Sequence, residues 1–375
     1  MMQTRWAWLE IDLDAIKRNV RTLKGLTPAG TGFMAVVKAD GYGHGGVQAA
    51  LASLRGGADR LGVATVDEAL TLRGSAISAP VHILSEPPAD SCDLIIEHDL
   101  VPTVTTREFA LALGRAAAGR GTVAPYHLKV DTGMNRIGVR AEDAASFVVR
   151  VADLPGLRLD GVFTHFATAD VPGDWDFDRQ LERFLGAVDA IRTEGVDPGI
   201  AHAANSPATI LHPESHLDLV RCGIAVYGLH PASATRDVVD LEPAMSVKAR
   251  ATFVKRIGLG EGVSYGLTYR AAAPTTIVTL PLGYADGVHR VLSNRMQILI
   301  GGRRCNQVGR VCMDQLMVEA ARGVEPEYGA EAVLVGTQGS ERILLDELGE
   351  LAGTINYEMA CAFGMRLPRV YFGPA

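Results

Sequence analysis

The sequence predicts an α/β fold: a (β/α)8 barrel over residues 1–240, followed by a mainly β domain over residues 241–375. Three observations predict it. Short apolar runs alternate with helical patterns through about the first 235 residues, the pattern of a parallel α/β sheet. After Pro231 the texture changes to short β-rich runs punctuated by glycine. The length, 375 residues, suits two domains of about 100–200 residues each.

The barrel strands are read at 33–37, 60–64, 81–84, 101–104, 126–130, 157–164, 200–203 and 219–222. Helical stretches intervene, among them 12–24, 107–118, 141–151 and 176–193. Eight such units in this length match a barrel of about 250 residues. In the second domain, SVKARATFVKRI at 246–257 alternates, 275–282 and 296–300 are short β-rich runs, and 303–317 continues the pattern. Gly258, Gly260, Gly262, Gly301 and Gly302 supply turns, and 344–352 reads as one helix. The boundary is placed near Glu242–Pro243.

Hydrophobic residues make up 47% and charged residues 21%, a globular balance. A net charge of −7, without a Lys/Arg run, argues against nucleic acid or an anionic membrane as partner. Five cysteines without a C-x-x-C pair read as reduced thiols. The N-terminal segment MMQTRWAWLEIDLDAIKRNV lacks a signal-peptide core, and no apolar stretch reaches about 18 residues, so a soluble cytoplasmic protein is expected.

Polar residues gather after the strands: Lys38 after the first, Lys129, Asp131 and Arg136 with the fifth, Thr164 and His165 after the sixth. Asn205 and Ser206 follow the seventh, and the eighth supplies Arg221 and Gly223. The C-terminal ends of barrel strands are where this fold builds its sites. Lys38 is either a strand-end lysine reaching water or a desolvated amine of lowered pKa, suited to Schiff-base chemistry. The glycines at 41, 43, 45 and 46 permit a tight turn but lack the G-K-[ST] of a nucleotide loop. Ser206, with the backbone of Gly223 and Ile224, can hold a phosphate at the loops after strands seven and eight. Ser206 also suits an ordinary helix N-cap before Pro207.

Other chemistries fit poorly. His212 and His216 are separated by a helix-breaking Pro213 and lack the H-E-x-x-H pattern, so no metal site is expected. Cys305 and Cys312 suit a β core, and no G-x-S-x-G elbow is present.

The segment AVVKADGYGHG resembles the cofactor-lysine signature of the alanine racemase family. It is joined in order by HLKVDTGMNRIG, THFATAD, HAANSPA, RCGIAVYG, VSYGLTY, LPLGYADG, QVGRVCMDQ and INYEMA. The resemblance spans essentially the whole chain and implies the barrel-plus-β architecture, pyridoxal phosphate, and a homodimer with shared active sites. It implies interconversion of L- and D-alanine, supplying D-alanine for peptidoglycan. Lys38 matches the cofactor-bearing lysine, and Tyr265 the second base, contributed by the other subunit. Tyr42, Ser206, Gly223, Ile224 and Tyr357 match the phosphate binders. His165 matches the residue beside the cofactor ring, and Arg221 the partner of its nitrogen. Arg136 and the Met313 backbone match the substrate carboxylate contacts. Lys129 matches a position that is carbamylated in several members and then orients Arg136. Tyr284, Arg290, Arg310 and Asp314 match the entrance. The tail AFGMRLPRVY departs from the family pattern in its first half.

These residues suit racemisation. Two bases, Lys38 for the D-enantiomer and Tyr265 for the L-enantiomer, deliver a proton to either face of Cα. A phenol needs neighbouring cations or hydrogen bonds to serve as a base near neutral pH, and His165 is the candidate helper. Arg221 stays protonated and can only donate to the ring nitrogen. A ring left neutral is a weaker electron sink, which favours return of the proton to Cα over transamination. A barrel decarboxylase for basic amino acids would share the lysine but not VSYGLTY and VCMDQ. A racemase of broader specificity is often exported, and a non-catalytic binder of the cofactor would need only the barrel.

Overall fold

The computed structural model describes residues 5–171 and 173–374, so the outermost ends of both predicted domains lie outside the described residues. These residues form two compact units. One comprises Ala15–Gly41 with Gly46–Glu242; the other comprises residues 5–14, Tyr42–Gly45 and Pro243–Pro374.

The first unit is a barrel. Among its described residues, eight parallel strands carry the ring: Gly32–Val36, Arg60–Val63, Val81–Ile83, Leu100–Val104, Ala124–Asp131, Leu157–Phe163, Ile200–His202 and Leu219–Cys222. The eighth pairs with the first from Leu219 opposite Gly32 to Cys222 opposite Ala35. Between the seventh and eighth, the backbone N–H groups of Asp218 and Arg221 donate to the carbonyls of Ala201 (3.1 Å) and Ala204 (2.9 Å), which nearly closes the ring. Strands hidden on both faces need apolar side chains throughout, which is why they read as continuous runs. The helices bury one stripe each: in Ala144–Ala152 that stripe is Ala144, Phe147, Val148 and Val151. Their starts are set by side-chain caps, Thr65 for Val66–Gly74, Thr106 for Arg107–Gly119 and Asp174 for Trp175–Thr193.

The second unit is built on a ten-stranded sheet among the described residues. Two sequence expectations are corrected there. The stretch 246–257 is two strands, Met245–Arg250 and Phe253–Ile257. At the junction Ala251 N–H bonds to Ala330 while Thr252 N–H bonds to Thr279, so the chain changes partners. Likewise 303–317 divides into Arg303–Gln307 and Leu316–Glu319 around a loop that carries Cys312 and Met313.

A third correction concerns residues 5–14 and Tyr42–Gly45, which the sequence placed in the barrel domain. Ala7–Asp12 is a strand, pairing antiparallel with Met245–Arg250 and parallel with Arg369–Phe372. Tyr42–Gly45 joins the same unit through the Arg369 Nε–H bond to Gly43 O (2.9 Å). Long-range pairing decides both, and a local pattern does not report it.

Leu9 is fully buried in that strand. Leu9→Ala should cost about 2–5 kcal/mol of stability, read by chemical denaturation. A loss below about 0.5 kcal/mol would mean that the strand is not integral to the core.

Candidate active site

Lys38 leaves the first barrel strand into a left-handed turn. Ala39, Asp40 and Gly41 have φ of 52°, 52° and 63°, a conformation that costs an L-residue about 1–2 kcal/mol. Side chains hold the turn in place. Glu68 accepts from Ala39 N–H at 2.7 Å and Ala64 N–H at 2.8 Å, and Asp40 accepts from Gly46 N–H at 2.7 Å. Glu68 was not picked out as a site residue from the sequence. Its signal was the Thr65-x-x-Glu68 spacing of a capping box, which the structure forms.

Lys38, Lys129, Arg136 and Arg221 all act on His165. Burial first, then Arg221, Lys129, Arg136 and Lys38, hold its pKa well below the usual imidazole value. His165 is therefore neutral, so any help it gives a phenolate comes as a hydrogen bond and not as a charge. Lys129 is buried, with its ammonium 5.4 Å from the centre of the Phe163 ring. Desolvation, then Arg136 and Arg221, pull it down to about 7.

Arg221 is only 4% exposed. Its Nη1 donates to His202 O (3.0 Å), and its Nη2 donates to Thr164 O (2.7 Å) and Ala203 O (2.9 Å). Among the described residues nothing accepts from its Nε–H. Burial lowers its pKa to about 9, which leaves it cationic at neutral pH. Ser206 accepts from Gly223 N–H at 2.9 Å, so these two predicted phosphate groups meet, with Ile224 next in the chain. The helix cap is Asn205, which accepts from Ala208 N–H at 3.2 Å. Ser206 is thus the first helical residue and is spared the N-cap role.

In the other unit, Tyr265 is 73% exposed and Met313 53% exposed. They line an open depression with Ser264, Cys312, Asp314, Gln315 and Met317. The Ser264 hydroxyl donates to Arg310 O at 2.7 Å, fixing the turn before Tyr265. Tyr284 N–H donates to Cys312 O at 2.9 Å, an approach that only Gly283 permits, since a Cβ there would lie 2.2 Å from Met313 O. Arg5 clamps the buried Asp286 with contacts of 2.6 and 2.7 Å, and Arg366 reaches Asp314 at 2.6 Å. Arg5, Asp286 and Arg366 went unnoticed in the sequence because they stand hundreds of residues apart or in the atypical tail. The Arg290 side chain makes no polar contact among the described residues. The rings of Tyr42 and Tyr357 lie 6.3 Å apart.

The rejected metal candidates have structural roles. His212 stacks on Phe177 at 3.7 Å, and His216 bonds Thr209 O at 2.9 Å. No helix among the described residues is long and apolar enough to cross a membrane.

Residues 11–231 match the family description "Alanine racemase, N-terminal domain", and residues 244–371 match "Alanine racemase, C-terminal domain". The chain belongs to the alanine racemase family. A family member from Symbiobacterium thermophilum is 46% identical over 98% of each chain, and one from Desulfovibrio desulfuricans 43% over the same share. The crystal structure of alanine racemase from Bacillus anthracis with bound L-Ala-P superposes with a TM-score of 0.94. It is 38% identical and covers 100% of this chain and 96% of its own. The E. faecalis family structure gives a TM-score of 0.94 at 39% identity, covering 99% of this chain and 100% of its own.

The Lys129 pKa has a testable consequence. A folded-state value of about 7 lies below the ordinary ~10.4, so folding disfavours the charged form. That penalty is complete below about pH 7 and absent above about pH 10.4. Lys129→Met in carbonate-free buffer should raise the denaturation midpoint most near pH 6 and hardly at all near pH 10.5. An equal gain at both would contradict the lowered pKa.

Proposed function

We propose that this chain racemises alanine with pyridoxal phosphate carried on Lys38, as a homodimer in which Tyr265 of one chain serves the barrel of the other. The observation that carries this reading is the group of four basic side chains, Lys38, Lys129, Arg136 and Arg221, that all act on His165. It suits a phosphate-bearing cofactor and an amino-acid carboxylate. The unclaimed Nε–H of Arg221 fits a ring nitrogen, and the Ser206–Gly223 pair fits the phosphate, with Tyr42, Ile224 and Tyr357 as further contacts. When bound, the cofactor withdraws electrons from the substrate Cα–H bond, which makes that proton removable.

The chain's own groups do the rest. The Lys38 amine takes or returns the Cα proton on one face; on the other the Tyr265 oxygen takes it as phenolate and returns it as phenol. Arg136 and the Met313 backbone hold the carboxylate. Lys129, about half neutral near pH 7, can add carbon dioxide through its neutral amine, releasing one N–H proton to solvent, and the resulting carbamate can orient Arg136. Tyr284, Arg290, Arg310 and Asp314 shape the approach to the site. The large exposure of Tyr265 and Met313 supports a site completed by a second chain. The second base is then carried by residues 241–375, within the β unit. The protein works in the cytoplasm, without nucleic-acid or membrane partners, and supplies D-alanine for peptidoglycan.

With pyridoxal phosphate and L-alanine, optical rotation should decay to zero, and Lys38→Ala should slow this by at least about a thousandfold. Borohydride should fix the cofactor on Lys38, read by peptide mapping. A cofactor fixed on Lys38 with unchanged rotation would mark a non-catalytic binder; an adduct on another lysine would overturn the assignment.

A further inference from the structure

Arg221 is the first member of a buried chain of side chains inside the barrel. Its Nη1 lies 3.1 Å from His202 Nδ1, and His202 Nε2 lies 2.7 Å from His127 Nδ1. His127 Nε2 in turn lies 3.7 Å from an Asp160 carboxylate oxygen. His202 and His127 are 0% and 2% exposed. Burial is the main cause that lowers both imidazole pKa values, so both rings are neutral.

The protons can then be placed. A guanidinium only donates, which favours a bare Nδ1 on His202. A neutral ring bare at Nδ1 carries its proton on Nε2, which donates to a bare His127 Nδ1. His127 in turn carries its proton on Nε2, facing Asp160. At 3.7 Å this last contact is too long for a hydrogen bond, and His127 Nε2 has no other partner. The carboxylate therefore acts on that N–H through its field. The donor at one end and the anion at the other favour the same direction. In the reverse arrangement a proton on His202 Nδ1 would confront the Arg221 N–H, and a bare His127 Nε2 would confront the carboxylate.

The surroundings keep the chain in place. A Cβ at Gly161 would lie 2.5 Å from His127 Cε1, so glycine there makes room for the ring. His202 stacks on Phe163 at 4.8 Å, and His82, held by Arg60 at 3.2 Å, sets its ring edge-on to His127 at 4.6 Å. Arg158 holds Asp160 at 2.9 Å.

We propose that Asp160 is a positioning residue for Arg221: through His127 and His202 it fixes one hydrogen-bond direction across the barrel interior and so the orientation of the guanidinium. The inference rests on the reading of Arg221 as the donor to the cofactor ring. Its first test does not, because the ring states of the histidines can be read directly.

The full-length, cofactor-loaded protein labelled with 15N-histidine should show, in long-range 1H–15N spectra, a single form each for His202 and His127, both protonated at Nε2. Asp160→Ala should add a second form with His202 protonated at Nδ1. It should also lower kcat about tenfold, with KM for alanine changed less than about twofold, as is usual for loss of a supporting partner. Asp160→Asn, whose amide oxygen can still face the His127 N–H, should keep the single form and near-parent kcat. A proton on His202 Nδ1 in the parent overturns the proposal whatever the variants do, as does an Asp160→Ala spectrum identical to the parent's. Failure to racemise alanine would leave the ring states as predicted, so the two readings fail separately.

Discussion

A guanidinium enclosed in the barrel, with no carboxylate in contact among the described residues, is the constraint from which the rest of the site follows. Arg221 is tolerated there because the carbonyls of Thr164, His202 and Ala203 converge on it from the ends of two neighbouring strands. Parallel strands that end on the same face of the ring present their last carbonyls to one point in this way. Its charge then reaches its neighbours. It helps hold His165 neutral and bring Lys129 near neutrality, although burial is the larger cause at both. Such a site favours anions and holds one amine, that of Lys129, near neutrality, the combination that chemistry at the α-carbon of an amino acid requires.

The β unit answers a different demand, precise placement of an exposed side chain. Tyr265 cannot be held by burial, so its backbone is held instead: Ser264, at φ 65°, bonds to Arg310 O, and Gly262–Val263 pairs with Tyr269–Arg270. The neighbouring loop is fixed by the close approach at Gly283 and by the buried Asp286 beneath it. Strain and buried charge of this kind are accepted where position matters more than stability.

The sequence made the barrel strands legible because their burial on both faces leaves continuous apolar runs. Lys38, Lys129, His165, Ser206 and Arg221 were legible because each follows or closes such a run. The neutral state of His165 was not, since it depends on basic groups drawn from three separate segments. Nor was the His127–His202–Arg221 chain: each histidine stands in its own strand, and only the ring closure brings them together. The first strand, Ala7–Asp12, is too short to show its alternation clearly, and its partners lie more than 230 residues away. The pairing of Arg5 with Asp286 is hidden for the same reason.

Sharing of the two bases between chains is tested most directly by complementation. Lys38→Ala and Tyr265→Ala proteins, each nearly inactive, are unfolded and refolded together in equal amounts. Random pairing makes about half the dimers mixed, and each mixed dimer holds one site with both lesions and one with neither. Recovery of roughly a quarter of parental activity is the expected result. No recovery, with exchange of tagged chains demonstrated, would mean that Tyr265 acts within its own chain or takes no part in the reaction.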